Sequence, residues 1–235
     1  MRFTEFEQLF ANARTARYSV ACGEDMIRAQ KLYLANLRLA GAFYPLLGCF
    51  EVALRNRLNT VLAAYFADSH WLITQQQGFM ADPSLVFRNQ RTGQVIRNGF
   101  LRQELANAER KIVAAGLVVT ADRLVAGQTL AFWVDLFSLK HFRLLRGRPI
   151  QAFQNLPAGV GRVEILQGLT AVRIFRNRIF HHEPVCFSGN IISGVEAALM
   201  HRSLLQVMDW LSPDLLPFVA KLDEIEPEIA ALQSI

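Results

Sequence analysis

The stretch from Leu46 to Phe66 reads LLGCFEVALRNRLNTVLAAYF, and its apolar residues Leu47, Phe50, Leu54, Leu58, Val61 and Tyr65 recur at three- and four-residue steps. That spacing gathers them on one side of an α-helix and leaves none of the alternation a half-buried strand requires. The stretch therefore predicts a buried helical stripe. The composition agrees: 52% of the 235 residues are hydrophobic and 19% charged, enough to fill a core. Fourteen glycines and eight prolines are too few for a chain built on many tight turns. An all-α fold is expected, a helical bundle with extra helices in a single domain over 1–235.

Working outward, residues 24–43 predict a preceding helix that stops against Pro45, because the residue before a proline avoids the α conformation. Residues 3–20 predict another, with Phe3, Phe6, Phe10 and Ala13 near one face. The least regular part is 67–97. It holds the turn signals Asp82-Pro83-Ser84 and Arg91-Thr92-Gly93 and the charges Arg88, Arg91 and Arg97, which suits a basic loop or a lid. A helix over 99–115 should end at Gly116, and Thr120 should cap the next one. That next helix carries Leu130-Ala131-Phe132-Trp133-Val134-Asp135-Leu136-Phe137, apolar nearly all round and so central to the core. Arg143, Arg146 and Arg148 follow in a basic connection closed by Pro149. Two more helices are expected at about 161–182 and 190–211, before Pro213 and Pro217 break up the tail.

Twenty-five basic against twenty acidic residues leave a net charge of +5, which suits an anionic partner: nucleic acid, a nucleotide or a membrane surface. Cys22, Cys49 and Cys186 are odd in number and far apart, with no zinc-binding spacing. Buried thiols in a reducing compartment are expected, with no metal and no cofactor. Met1 to Glu7 lacks the basic start and apolar run of a signal peptide. The most membrane-like segment, Leu39 to Leu54, is interrupted by Pro45 and Glu51 and falls short of the ~20 apolar residues of a span. A cytoplasmic location without membrane contact follows as the expectation.

Two charges break the helical pattern. On a wheel of residues 162–182, Ile165, Leu166, Leu169, Val172, Phe175, Ile179 and Phe180 form one face, and Arg176 falls inside it, while Arg178 lies well outside. On residues 46–66, Glu51 falls within the stripe. A buried bare charge costs many kcal/mol, so each invites a partner. Glu51 and Arg176 suit one another, and Arg55 at i+4 is the alternative partner for Glu51. Such a bridge is compatible with a purely structural role.

The end of the second of these helices adds chemistry. Pro184 should stop it near His182, which leaves two adjacent histidines in its last turn, five and six residues after Arg176. On a continuous helix Arg176 and His181 stand about 140° apart, so they converge only at a helix end or against a second copy. Asn177, four residues before His181, is placed to orient its ring. A proton-transfer group, a fixed cation and an orienting amide suit phosphodiester cleavage without metal. A base takes the proton of a 2′-hydroxyl, and cationic donors stabilise the charged phosphorane. Binding phosphate without chemistry uses the same groups.

Arg176-Asn177-Arg178-Ile179-Phe180-His181-His182-Glu183-Pro184 resembles the closing motif of the Abi-like (abortive infection) family of the HEPN superfamily. Phe50-Glu51-Val52-Ala53-Leu54-Arg55-Asn56-Arg57-Leu58 looks like the family's Glu-x-x-Leu-Arg-Asn helix. Leu130 to Phe137 looks like its Phe-Gly-Phe-Trp segment, with Ala131 where glycine is more usual. With Trp71-Leu72, the likeness spans about residues 30 to 190 in the family's order. The resemblance implies a dimer that joins two copies of the motif and a metal-independent endoribonuclease, deployed as a toxin or in anti-phage defence. Arg176 would contact phosphate, Asn177 orient, His181 act as acid and base with His182 in reserve, and Glu51 help from nearby. Arg55, Arg173, Arg178, Arg143 and Arg146 are the expected RNA contacts, alongside Arg88–Arg97. A nucleotidyltransferase antitoxin is a partner implied by the family alone. The competing expectation is a non-catalytic HEPN module that binds RNA or a nucleotide, or dimerises. An intramembrane protease is disfavoured, since the chain shows no paired Glu or His on membrane spans.

Overall fold

A computed structural model describes residues 3–88 and 91–235, and the described chain is all-α. Its helices, in order, are α1 (Phe3–Phe10), α2 (Asn12–Ala21), α3 (Met26–Phe66), α4 (Trp71–Thr74), α5 (Phe100–Ala114), α6 (Ala121–Gly127), α7 (Leu130–Asp135), α8 (Leu139–Leu144), α9 (Arg162–Phe180), α10 (Val195–Leu211), α11 (Leu215–Val219) and α12 (Ile225–Gln233). Two short antiparallel ladders interrupt them. β1 (Val86–Arg88) pairs β2 (Val95–Arg97) with Phe87 opposite Ile96, and β3 (Phe187–Ser188) pairs β4 (Ile191–Ile192).

The helix expected to stop before Pro45 does not stop there. α3 runs 41 residues with Pro45 inside it. Proline cannot donate to the carbonyl four residues back, here that of Gly41, at a cost of about 3 kcal/mol. Leu39, Phe43, Leu46, Leu47, Phe50 and Leu54 are almost wholly buried on both sides of the proline. Burying each such side chain contributes about 1.5–3 kcal/mol, so packing outweighs the lost bond. The same continuity makes α3 long and apolar enough, by length and composition, to cross a membrane.

Three further expectations change. The helix over 3–20 is broken at Ala11, whose φ of +60° is unfavourable for a residue with a side chain. The helix begun at Thr120 ends at Gly127, and Thr129 caps a separate one through its side chain, which accepts from the Phe132 N–H at 3.4 Å. The irregular stretch 67–97 contains the β1–β2 hairpin, a pairing that its turn residues alone did not indicate. Two expected boundaries hold. Gly116 takes a φ of +71° and donates to the Val113 carbonyl, while Leu117 donates to Ile112, closing α5. Thr120 caps α6 by accepting from Arg123 N at 3.3 Å.

The chain divides into two compact units. The first comprises Met1–Cys49, Ala171–Asp209 and Asp214–Ile235, and the second Phe50–Thr170 and Trp210–Pro213. In the first, the Phe43 and Phe175 rings meet edge-on at 4.8 Å, and His201 Nε2 lies 2.6 Å from Asp223 Oδ2, holding α10 to the segment before α12. In the second, Leu130, Phe132, Trp133, Val134, Leu136 and Phe137 are all buried, as the run predicted. Trp71 Nε1 donates to Asn59 Oδ1 at 2.8 Å, and the buried His141 ring reaches the Asp135 carboxylate at 2.8 Å.

Burial sets the chemistry of the cysteines. Cys186 is fully buried, which pushes its thiol up to about 12, and burial also raises that of Cys22. Both stay protonated in the fold at a pH where an unfolded thiol, near 8.5, has begun to ionise. Stability linked to Cys186 is therefore fully present below about pH 8.5 and falls as pH rises from there towards 12. A thiol reagent at pH 8 should modify the half-buried Cys49 in the native chain, and Cys22 and Cys186 only on denaturation. Equal native rates for all three would contradict this.

Candidate functional site

α9 ends at Phe180, two residues before the stop that Pro184 suggested, and a specific turn ends it. His181 N donates to the Asn177 carbonyl at 2.8 Å, the last bond of the regular ladder. His182 then takes a left-handed φ of +57°, donates to Ile179 at 3.0 Å, and lets Glu183 N reach back to the Arg178 carbonyl at 2.8 Å. The paired bonds satisfy carbonyls that a helix end otherwise leaves open, in a closure that usually puts glycine at the left-handed position. Histidine there costs about 1–2 kcal/mol of backbone strain.

Arg178 holds this turn. Its Nη1 bonds Glu196 on α10, Nη2 donates to the Pro184 carbonyl at 2.7 Å, and Nε stands 3.7 Å from Glu183 Oε2. Just beyond, Val185 N donates to Oδ1 of the buried Asn36 at 2.8 Å. The chain after the helix is thus fixed at Glu183, Pro184 and Val185, while the His181 and His182 side chains stay exposed. The guanidinium expected to hold RNA is occupied by the chain itself.

Arg176 is half-buried rather than enclosed. Its guanidinium carbon lies 3.9 Å from the centre of the Phe180 ring, close enough for a cation–π contact. The exposed Tyr44 ring stacks on Phe180, with centroids 5.6 Å apart and planes 30° from parallel. Asn177 was expected to orient His181. Its Oδ1 accepts from Arg176 Nη1 at 3.4 Å. The amide oxygen helps to position the Arg176 cation.

The other expected residues divide between the units. Arg173 is half-buried on α9 in the first. Glu51, Arg55, Arg143 and Arg146 belong to the second, where Glu51 is half-buried and Arg143 and Arg146 are exposed. Arg55 Nη1 donates to the Ala126 carbonyl at 3.3 Å, at the end of α6. The side chains of Arg88 and Arg97 lie outside the described residues.

Two cavities in the first unit share His182. One, of about 460 Å³, is lined by Phe10, Ala11, Arg14, Arg17, His182 and Glu183 among others. Arg14 Nη1 donates to the His182 carbonyl at 2.5 Å, and Arg17 bonds the Gly189 carbonyl with its guanidinium 4.4 Å from the Phe187 ring centre. The other, of about 480 Å³, is a groove lined by Leu37, Gly41, Tyr44, Ile179, Phe180 and His182. Sequence reading passed over Arg14, Arg17, Tyr44 and Asn36. Asn36 carries the signal already used for Glu51 and Arg176, a polar residue on an apolar helical stripe between Leu32 and Leu39. Surface residues such as Arg14 and Tyr44 carry none.

Among the described residues, no group of three His, Cys, Asp or Glu side chains stands close enough to share a metal ion. No family model matches the chain, and neither a curated protein nor a solved structure matches it.

Substitutions at this turn separate support from function. Arg178→Ala should lower stability by about 1.5–3 kcal/mol, the scale of charge-assisted bonds it would lose. His182→Gly should be neutral or stabilising by about 1 kcal/mol, because glycine adopts the left-handed conformation without strain. Chemical denaturation measures both, and a destabilising His182→Gly would contradict the assigned turn.

Proposed function

We propose that the chain is a metal-independent endoribonuclease of the Abi-like, HEPN type, acting in the cytoplasm as a toxin or anti-phage effector. The observation that carries this reading is the end of α9. A held turn presents two exposed imidazoles one helical turn beyond a guanidinium that its neighbours orient. In the reaction an imidazole takes the proton of a 2′-hydroxyl. The 2′-oxygen attacks the adjacent phosphorus, and the bond to the 5′-oxygen breaks as that oxygen gains a proton. The products are a 2′,3′-cyclic phosphate and a free 5′-hydroxyl. Arg176 stabilises the doubly charged phosphorane, where a preorganised cation acts most strongly. His181 is the acid/base group, with His182 in reserve.

The chain acts as a homodimer through α9. Ile174, Asn177 and His181 share one helical face, and Ile174 is 52% exposed in the single chain. A second copy across that face covers Ile174 and brings two His181 together, one as base and one as acid. The buried α3 stripe and the charges Arg28, Lys31, Arg38 and Arg57 along that helix support a core helix rather than a membrane span, which fits the cytoplasmic reading. A nucleotidyltransferase antitoxin is the partner to look for. A non-catalytic RNA- or nucleotide-binding module is the second reading, favoured by the Arg176–Phe180 stack, which binds without chemistry.

Purified chain in EDTA should degrade RNA, and His181→Ala should reduce the rate by about 10²-fold or more with the fold intact. Arg176→Ala should match that loss, whereas His182→Ala is milder. Full activity in His181→Ala, in His182→Ala and in the double variant would end the nuclease reading. Light scattering at micromolar concentration should show a dimer that Ile174→Glu converts to an inactive monomer of unchanged helicity.

A further inference from the structure

His182 is the common wall of two cavities, one of which carries charged side chains and one of which does not. On one side stand the exposed guanidinium groups of Arg14 and Arg17, opposed by the single carboxylate of Glu183. Each arginine uses one N–H on a carbonyl of its own chain, Arg14 on His182 and Arg17 on Gly189, which fixes the guanidinium while its other donors stay in play. On the other side is an apolar groove whose floor holds two stacked aromatic rings. Tyr44 is 60% exposed and Phe180 40%, and Arg176 lies against Phe180 at 3.9 Å. Gly41, one helical turn before Tyr44, leaves the groove open: a side chain there would meet nothing within 4 Å.

We propose that these two cavities are adjoining subsites for one nucleotide of single-stranded RNA, the groove taking a base against Tyr44 and the basic cavity an adjacent phosphate beside Arg14 and Arg17. The assignment rests on the RNA reading of the α9 end and names where the strand lies. A flat π surface, solvent-exposed and joined to a guanidinium stack, recognises any nucleobase face, and base–aromatic stacking is tolerant of sequence. A fixed pair of guanidinium groups recognises phosphate oxygens by geometry as well as charge. Neither cavity alone discriminates a nucleotide from other ligands. Their shared wall does, because it sets a planar apolar site next to an anionic one, and it puts the strand against the histidine beside His181. The N-terminal helices α1 and α2, outside the span of the family resemblance, thereby contribute to binding.

The test uses the full chain and a fluorescently labelled oligonucleotide of 2′-O-methyl RNA, which lacks the attacking hydroxyl and cannot be cleaved by this chemistry. Tyr44→Leu keeps the apolar volume and removes the π face, and it should weaken binding about tenfold, the scale of one lost base stack. Tyr44→Phe should bind as wild type. Arg14→Gln and Arg17→Gln should each lower the slope of log affinity against log salt by about 0.7, while Tyr44→Leu leaves the slope unchanged. Thermal melts guard against loss of fold in the arginine variants, and Tyr44, being exposed, tests the groove independently of them. Wild-type affinity in Tyr44→Leu, or no binding by the wild-type chain, would overturn the proposal. So would a Tyr44→Leu that changes the oligomeric state and not the RNA affinity, since the groove would then belong to a second copy. RNA cleavage by the same preparation is scored separately. Binding with the expected variant pattern but no cleavage sinks the nuclease reading alone, and cleavage that ignores Tyr44, Arg14 and Arg17 sinks the subsites alone.

Discussion

Arg178 closes the end of α9, and the candidate site depends on that closure. Its guanidinium joins Glu196 on α10, the Pro184 carbonyl and Glu183, so three segments of the first unit meet on one planar cation. The five donors of an arginine in fixed geometry make this possible where a lysine ammonium would hold one or two partners without direction. Without it, the left-handed turn at His182 would rest on its two backbone hydrogen bonds and the Arg14 and Asn36 contacts.

The consequence is rigidity in the place where the proposed chemistry would need it. Strained backbone persists only where surrounding contacts over-determine it, and at His182 those contacts are the Arg178 cluster, the Arg14 bond to the His182 carbonyl and the Asn36 bond to Val185. The backbone is held from both sides while the two imidazoles are left to solvent. A histidine in a position that favours glycine gives up stability and gains a side chain at the mouth of two cavities. Arg176 is prepared in the same manner, between the Phe180 ring and the Asn177 amide. Groups fixed before a substrate arrives need no reorganisation when it does, which is the main advantage a folded site has over water.

The helical class and the heart of each long helix were legible from spacing, because apolar residues at three- and four-residue steps leave a helix little alternative to burial. The Leu130–Phe137 run, the Gly116 stop and the Thr120 cap were legible for local reasons of side-chain chemistry. What failed were positions where tertiary packing overrides a local preference. Pro45 argued for a break, but α3 continues through it with Phe43, Leu46, Leu47 and Phe50 buried around it. Ala11 argued for continuity, and the helix breaks there. At the site, the side-chain pairing was not legible: Asn177 Oδ1 accepts from the neighbouring Arg176 guanidinium, a contact no spacing rule predicts. Arg178 looked like a solvent-facing contact for RNA and turned out to be the turn's support. Arg14 and Tyr44 join the site from distant parts of the chain, and no spacing rule links them to His182.

The claim at the centre is that the groups at this helix end move a proton to and from RNA without metal, and the ends of the product strands report on it most directly. Purified chain should be incubated with a defined RNA in EDTA and the fragments weighed by mass spectrometry. The fragments should carry 2′,3′-cyclic phosphate and 5′-hydroxyl ends, with no cut where the residue 5′ to the scissile bond carries a 2′-deoxy sugar. Fragments ending in 3′-hydroxyl and 5′-phosphate, or cleavage that proceeds through a 2′-deoxy residue, would contradict it.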